Sequence, residues 1–464
     1  MKRIDWRKLT EQYPWRFMGF MLLIFSIPKL YDLTNIYWIG KISLEALAIT
    51  EQFEFLSVSI EVVNETIPFG VLALVAQNWK NHEKVLKILK AGLVLQLCFS
   101  VIFMVLILSF MSQFVMTIGT PPEIVGITKM YLGLKALALP FEAVAFLLLI
   151  CIKSMRRGKE ALYLVTLSVI LNIILDLFLI SDQSFSLHMG IRGVALGYVI
   201  SKIILAIVAF AYLAYILRIK IPTFIRKIEF RSLFKPILKI GQWTGADSLT
   251  RNLGYMGTLM VLNLIGINEF GGYGLSMWVM WTLIIPVLAL AEGTNVVVGN
   301  FYGEKRYTDM RMAIYISIFF SFIIMLSIAF IGLFAWRGIS NFFNPNPVMV
   351  NYSVQSYMWL MIPYICFGVG IIIKSLFFGT GETKYILFIS LVANLCIIAP
   401  FVILVRTGFV AATYTNVMAQ FFIVFVEDLI VTIYFANRLT KRITGVKLIS
   451  IRNVTNAIRG YDES

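Results

Sequence analysis

The sequence predicts an all-α integral membrane protein with twelve transmembrane helices. Of its 464 residues, 59% are hydrophobic and only 14% are charged, whereas a soluble protein has about 25% charged residues. Apolar runs long enough to cross a bilayer recur along the whole chain. The first run is not followed by a small-residue cleavage motif, so we expect it to be a retained span.

Each predicted span is an apolar run bounded by polar, Gly-rich or Pro-containing loops. The spans are expected at residues 15–40, 46–79, 86–117, 122–155, 160–182, 190–217, 236–266, 271–300, 308–338, 347–378, 384–405 and 408–437.

A basic stretch after span 6, RIKIPTFIRKIEFRSLFKP, is the one long polar linker in the sequence. It divides the spans into two sets of six. We therefore expect an amino-terminal lobe at 1–217, a basic linker at 218–235, a carboxy-terminal lobe at 236–437 and a basic tail at 438–464.

Basic residues alternate between the predicted loops. They are frequent before span 1 and after spans 2, 4, 6, 8 and 12, whereas the intervening loops have only Lys41, Arg192, Arg337 and Arg406. This positive-inside pattern predicts that both termini are cytoplasmic. The net charge of +15 therefore indicates topology and not a nucleic-acid partner. The expected location is the plasma (inner) membrane.

The two halves of the sequence resemble each other at an offset of about 222 residues. IKSMRRGKEALYLVTLSVILN aligns with IKSLFFGTGETKYILFISLVAN, and FGVLALVAQNWKNHEK aligns with EGTNVVVGNFYGEKR. The aligned pairs are Gly70 with Gly293, Gln77 with Asn300, Lys153 with Lys374, Gly158 with Gly379 and Asn172 with Asn394. Such a parallel repeat is typical of transporters, whose sites lie near the interface of the halves.

Span 2 has four acidic residues, Glu51, Glu54, Glu61 and Glu65, on one narrow stripe of a helix. An ionised carboxylate facing lipid is costly, so the stripe is expected to face a water-filled cavity. We interpret these residues as lining a substrate cavity that attracts cations or protons.

The end of span 1, LYDLTNIYWIGKISLEALAI, resembles the first-span signature of the MATE (multidrug and toxic-compound extrusion) family. The Gly-bearing turns after spans 2, 4, 8 and 10, and GIRGVALGYVIS at span 6, are similar to that family as well. The resemblance implies two six-helix lobes around a V-shaped cavity. It also implies efflux of amphipathic, often cationic compounds in exchange for H+ or Na+.

The resemblance further implies a cation-coupling site in the amino-terminal lobe. The family's Asn and Asp of span 5 fall on Asn172 and Asp176. Two positions depart from the pattern: Asn35 stands where the family usually has an acid, and Tyr198 where it often has Thr. Asp32, one helical turn before Asn35, is a candidate replacement for the missing acid.

We hypothesise that Asp32, Asp176, Glu54 and Glu61 form one coupling and substrate-attracting cluster, with Asp32 and Asp176 as ligands if the ion is Na+. With a rise of about 1.5 Å per residue, Asp32, Glu54 and Asp176 all lie roughly 8–12 Å from the outer ends of their spans. Carboxylates crowded in a low-dielectric cavity disfavour one another's charge, so at least one is expected to titrate near neutral pH. The alternative is that these acids form ion pairs with Lys29, Lys135 or Lys202.

Span 7 has Asp247 and Arg251 at i, i+4. They form either an intrahelical salt bridge or, if Arg251 faces the cavity, a site for an anionic group of the substrate. In span 8, Trp278 and Trp281 share a face and are candidates to stack on a flat cation.

The sequence thus predicts a secondary-active multidrug efflux antiporter that works as a monomer. The alternative is a flippase-type exporter of lipid-linked or anionic amphiphiles. An enzyme is not expected, because no catalytic constellation is visible and His82 and His188 fall in loops. The sequence has no GxxxxGK[ST] loop of a nucleotide-driven pump and no CxxC spacing among its four cysteines, so no cofactor or metal is implied.

Overall fold

The computed structural model describes residues 13–42, 46, 49–50, 53–117, 120, 122–181, 183–219, 232–343 and 346–449. Within these ranges the chain is helical and has no β-strand. For residues 33, 34, 36, 37, 40–42, 54, 55, 117 and 267 only the backbone is described.

The helices follow one another with short connections. They are α1 (Trp15–Ile42), α2 (Phe53–Gln77), α3 (His82–Ser109), α4 (Met111–Thr117), α5 (Val125–Ser154), α6 (Gly158–Leu179), α7 (Ile191–Ile216), α8 (Phe234–Ile265), α9 (Ile267–Leu283), α10 (Ile285–Gly303), α11 (Tyr307–Phe343), α12 (Pro347–Thr380), α13 (Lys384–Ala393), α14 (Ala399–Arg406) and α15 (Tyr414–Thr444). A π turn, Asn394–Ile398, joins α13 to α14.

The predicted all-α membrane fold is confirmed, and the described helices are approximately consistent with twelve spans. Nine helical segments of the described chain are long and apolar enough to cross a membrane, with α13, the π turn and α14 together counting as one. Helices α9 and α10, which are bent by 49° relative to each other, together make a tenth span. The break between them lies beside Pro286, which has no N–H for a helical hydrogen bond. Helices α1 and α8, with 28 and 32 residues, are long enough for the remaining two.

The contacts divide the chain into two compact units. The amino-terminal unit is Leu23–Ser248, and the carboxy-terminal unit is the chain from Leu249 onward together with the first turns of α1, up to Leu22. The division thus falls inside α1 and α8. The lobes expected at 1–217 and 236–437 stay a prediction.

Each unit has one central, well-buried helix. In the amino-terminal unit this is α5, which packs against α2, α3, α6 and α7. In the carboxy-terminal unit it is α12, which packs against α9, α10, α11 and α15. Helices α5 and α12 contain Lys153 and Lys374, which the repeat aligns with each other.

Repeat-related residues make the same local contacts in the two units. The Asn172 amide donates to the Ser168 carbonyl at 2.9 Å, and the Asn394 amide donates to the Ser390 carbonyl at the same distance. These pairs lie at equivalent positions of the aligned segments, so the internal repeat extends to hydrogen bonding.

The start of α8 packs closely on α2 through small residues. A Cβ at Gly241 would overlap the carbonyl oxygen of Thr66, and one at Gly245 would overlap the hydroxyl of the same residue. The Thr244 hydroxyl donates to the Glu65 carbonyl at 2.5 Å. The two helices therefore approach each other because glycine leaves the space free.

We expect Gly241→Ala to destabilise the protein, because the added methyl group meets rigid backbone. Overpacking of this kind costs about 1–3 kcal/mol. The matched control is Gly257→Ala on the same helix, where the new Cβ would have an ordinary contact of 3.6 Å with Val402. The thermal midpoint of the purified protein should fall in Gly241→Ala and not in Gly257→Ala. Equal midpoints for the two variants would contradict the close packing of α8 on α2.

Candidate functional site

Asp176 is the most deeply buried acidic residue of the predicted coupling site. It lies near the end of α6 and is 3% exposed. The Tyr31 hydroxyl of α1 donates a hydrogen bond of 2.8 Å to its Oδ2. On the other side the carboxylate is next to Gly197 of α7, since a Cβ there would lie 3.9 Å from Oδ1. Asp176 thus lies where α1, α6 and α7 approach one another.

The other predicted residues of α1 and α6 have different surroundings. Asp32 forms an ion pair with Lys29 at 3.1 Å, and both side chains are about half exposed. Asn35 has a buried Oδ1 with no hydrogen-bond partner among the described side chains and backbone groups. Asn172, one turn before Asp176, uses its amide within its own helix.

Tyr198 belongs to a second polar group on α5 and α7. Its hydroxyl donates to Glu142 Oε2 at 2.6 Å, and the ammonium group of Lys202, one turn further along α7, lies 3.3 Å from Glu142 Oε1. The two side chains of this ion pair are largely buried. Glu142 therefore receives a hydrogen bond and a positive charge from the same helix.

Lys135 of α5 joins these two groups. It is 6% exposed, and its ammonium nitrogen lies 3.5, 4.6 and 5.5 Å from the ring centroids of Tyr198, Phe53 and Tyr131. Asp176 and Glu142 both act on it electrostatically. Three aromatic faces and two carboxylates within electrostatic reach offset part of the cost of burying this ammonium group.

The structure therefore brings together Tyr31, Lys135, Glu142, Asp176, Tyr198 and Lys202, which we call the amino-terminal charge cluster. Sequence reasoning identified Asp176 and Tyr198, and named Lys135 and Lys202 as alternative ion-pair partners. It missed Tyr31 and Glu142. The signal was present, because Lys135 and Glu142 are seven residues apart and so share one helix face.

The acidic stripe of span 2 is described only in part. Glu51 and the side chain of Glu54 lie outside the described residues. Glu61 is exposed and Glu65 is partly buried. The four-carboxylate cluster of Asp32, Asp176, Glu54 and Glu61 therefore stays a prediction.

The remaining predicted cavity residues lie on α8 and α9. Asp247 is buried and Arg251 is exposed. Trp278 is largely exposed, and its ring meets the edge of Phe343 at a centroid distance of 5.1 Å. Trp281 has a similar edge contact with Phe367. Both indole rings thus have aromatic neighbours, while their role in binding stays a prediction.

A model of the MatE family matches residues 18–178 and 246–404, which together are well over half of the chain. The chain belongs to the MatE family. It is therefore a multi-pass membrane transporter.

Two bacterial proteins of similar sequence support this assignment to the MatE family. The chain is 22% identical over 405 residues to the probable multidrug resistance protein YoeA of Bacillus subtilis, covering 83% of this chain and 86% of YoeA. It is 24% identical over 389 residues to the multidrug export protein MepA of Staphylococcus haemolyticus, covering 78% of this chain and 82% of MepA.

Two solved structures of transporters have the same fold as this chain. An outward-facing multidrug resistance MATE transporter of the MOP superfamily matches with a TM-score of 0.83 at 19% identity, covering 96% of this chain and 100% of that one. A MOP superfamily transporter from Pyrococcus furiosus, described as having a binding pocket of reverse polarity that suggests a different function, matches with a TM-score of 0.82 at 19% identity, covering 96% and 99%.

The Glu142–Lys202 pair of this MatE protein predicts strong energetic coupling. Glu142→Gln or Lys202→Met alone leaves a largely buried group without its partner, so each should lower the free energy of unfolding by about 3 kcal/mol. The double variant should lose less than the sum, with a coupling of about 1–3 kcal/mol. Unfolding of the purified protein by a denaturing detergent measures these values.

The half-exposed pair Lys29–Asp32 is the matched control for this cycle. A solvent-exposed pair contributes about 0–1 kcal/mol. If the coupling of Glu142 with Lys202 were no larger than that of Lys29 with Asp32, the buried pair would not be a stabilising interaction.

Proposed function

We propose that the chain is a secondary-active antiporter that exports amphipathic, cationic compounds in exchange for H+. The single observation that carries this proposal is the buried Asp176 carboxylate, which accepts a hydrogen bond from Tyr31 and lies within the electrostatic reach of Lys135. Ionisable groups inside membrane spans are rare, and they mark ion and substrate pathways. The names of YoeA and MepA support multidrug export as the activity.

Asp176 would hold either a proton or the substrate but not both, and this would couple substrate export to proton entry. An ionised Asp176 attracts a cationic substrate, whereas a protonated Asp176 has no charge to hold it. The proton and the substrate therefore compete for Asp176, and each crosses the membrane in a different half of the transport cycle. When neither is bound, Lys135 supplies the positive charge that a buried carboxylate requires.

The ligands at Asp176 favour H+ over Na+ as the coupling ion, because a sodium ion is held by several oxygen ligands. The second carboxylate proposed as a Na+ ligand, Asp32, has an ion pair with Lys29 instead. A proton adds no separate cation and needs no set of oxygen ligands.

The alternating basic loops support an orientation with both termini cytoplasmic, in the plasma (inner) membrane. In this orientation Asp176 lies in the outer half of the bilayer, about 5 Å from the end of α6 by the helical rise. The transporter works as a monomer, since the two pseudo-symmetric halves of one chain supply a complete set of spans.

Transport in proteoliposomes tests the antiport. Uptake of the fluorescent lipophilic cation ethidium is expected to follow an imposed pH gradient and not a sodium gradient. Asp176→Asn removes a charge-assisted contact of about 1.5–3 kcal/mol, so uptake should fall by about tenfold or more. The control, Asp309→Asn, alters an ion pair with Arg306 in the loop before α11 and should leave uptake unchanged. Normal uptake in Asp176→Asn would rule out this coupling site.

A flippase-type exporter of lipid-linked or anionic amphiphiles is the second candidate function. The observation that favours it is the pair of lysines in the amino-terminal charge cluster, Lys135 and Lys202, together with the reverse-polarity pocket described for the Pyrococcus relative. Lys135→Gln distinguishes the two functions. Loss of transport of an anionic amphiphile, with no transport of ethidium by the unmodified protein, would replace the antiporter proposal with this one.

A further inference from the structure

A second set of charged side chains lies inside the carboxy-terminal unit. Lys374 of α12 and Asp428 of α15 form an ion pair in which Nζ and Oδ1 are 2.7 Å apart. Both side chains are largely buried. Glu427 directly precedes Asp428 in the apolar segment FFIVFVEDLIVTIYFA, near the middle of a span.

The packing of α12 leaves space for these carboxylates. Gly370 lies one helical turn before Lys374, so both face the same side of α12. A Cβ at Gly370 would lie only 3.3 Å from Asp428 Oδ2, closer than most side-chain contacts. The missing side chain thus lets the acidic turn of α15 approach α12 beside the lysine.

Three carboxylate oxygens of this group lack a hydrogen bond. Both oxygens of Glu427 and Oδ2 of Asp428 are buried and have no partner within the described part of the chain. Buried polar atoms in proteins are nearly always paired, so an unpaired set requires an explanation. Lys374 balances one negative charge, and with both acids ionised one uncompensated charge would remain in the membrane.

We infer that Glu427 is a proton-binding site whose charge is influenced by the neighbouring Lys374–Asp428 ion pair. A proton removes the uncompensated charge and gives Glu427 a hydroxyl that can donate. A metal ion fits less well, because the ammonium group of Lys374 is already beside Asp428 and would repel it. Lys374 and Asp428 do not bind the proton themselves but act electrostatically on Glu427.

The other titratable groups on the packed helices do not provide this charge balance. Helix α15 packs on α12, α13 and the π turn. Apart from Lys374, the titratable residues described on these elements are Tyr352, Tyr357, Tyr364, Cys366, Lys384, Tyr385 and Cys396. Lys384 pairs with Glu382 at 3.4 Å. Among the described groups, Asp428 and Lys374 are the ones that act electrostatically on Glu427.

The two adjacent acids of α15 have no counterpart at the corresponding positions of the first half of the chain. Lys153 is the repeat partner of Lys374, but the corresponding middle of α7, residues 203–214, is IILAIVAFAYLA and has no acidic residue. The repeat therefore accounts for the lysine and not for the acids. Glu427 and Asp428 are a property of the second half alone.

This inference deepens the proposed antiport, on which its role in transport rests, by adding a second proton to the cycle. The proton site itself is tested without transport, by pH-difference infrared spectra of the purified full-length protein in lipid. The carbonyl band of a protonated carboxylic acid is expected in the unmodified protein and should be lost in Glu427→Gln. Glu382→Gln, at a residue paired with Arg442 and Lys384, is the matched control and should retain the band.

An unchanged spectrum in Glu427→Gln would overturn the inference. If that variant does not fold, as judged by size-exclusion chromatography, carbon-13 labelling of glutamate carboxyl groups in the unmodified protein replaces it. The band should then shift, and a band that does not shift would likewise overturn the inference. Asp176→Asn should retain the Glu427 band. The spectra therefore test the proton on Glu427 independently of the proposed coupling site at Asp176.

The number of protons moved per substrate in proteoliposomes tests the role of Glu427 in transport. It should fall by one in Glu427→Gln and stay unchanged in Glu382→Gln. An unchanged number in Glu427→Gln would show that the proton on Glu427 is not part of the cycle.

Discussion

The arrangement of the amino-terminal unit depends on how the buried Asp176 carboxylate is stabilised. It accepts a hydrogen bond from Tyr31, and the positive charge of Lys135 acts on it. A carboxylate in the bilayer needs hydrogen-bond donors and positive charge, because no bulk water supplies them. Tyr31 comes from α1, Asp176 from α6 and Lys135 from α5. The three helices must therefore keep their depth and rotation relative to one another, and any ligand that changes the charge of Asp176 changes what holds them together.

The two units have one backbone plan with different electrostatics. The repeat retains the central helices α5 and α12 and the amide bonds of Asn172 and Asn394. Backbone packing depends on small residues and apolar surface, which both halves share. Charged groups are tolerated only where a partner lies on a neighbouring helix, so each half could acquire its own set independently. If Asp176 and Glu427 both bind protons, as we propose, the transporter has two chemically different proton sites.

Most of the fold was predictable from the sequence because lipid imposes simple rules. Length, hydropathy and the alternating basic loops identify the spans without any tertiary information. The i, i+4 spacing of Asn172 and Asp176 places them on one face of α6. The partnership of Glu142 with Lys202 was not predictable, since it depends on the relative rotation of α5 and α7. The aromatic surroundings of Lys135 depend on three helices at once, and the break before α10 was indicated only by Pro286.

The most direct test of this account is proton release on substrate binding. Ethidium is added to the purified protein in weakly buffered detergent solution, and a pH-sensitive dye records the protons that appear. We expect proton release by the unmodified protein and none by Asp176→Asn, with Asp309→Asn behaving as the unmodified protein. Binding of ethidium without proton release, or release that persists in Asp176→Asn, would contradict the claim that proton and substrate compete for one buried carboxylate.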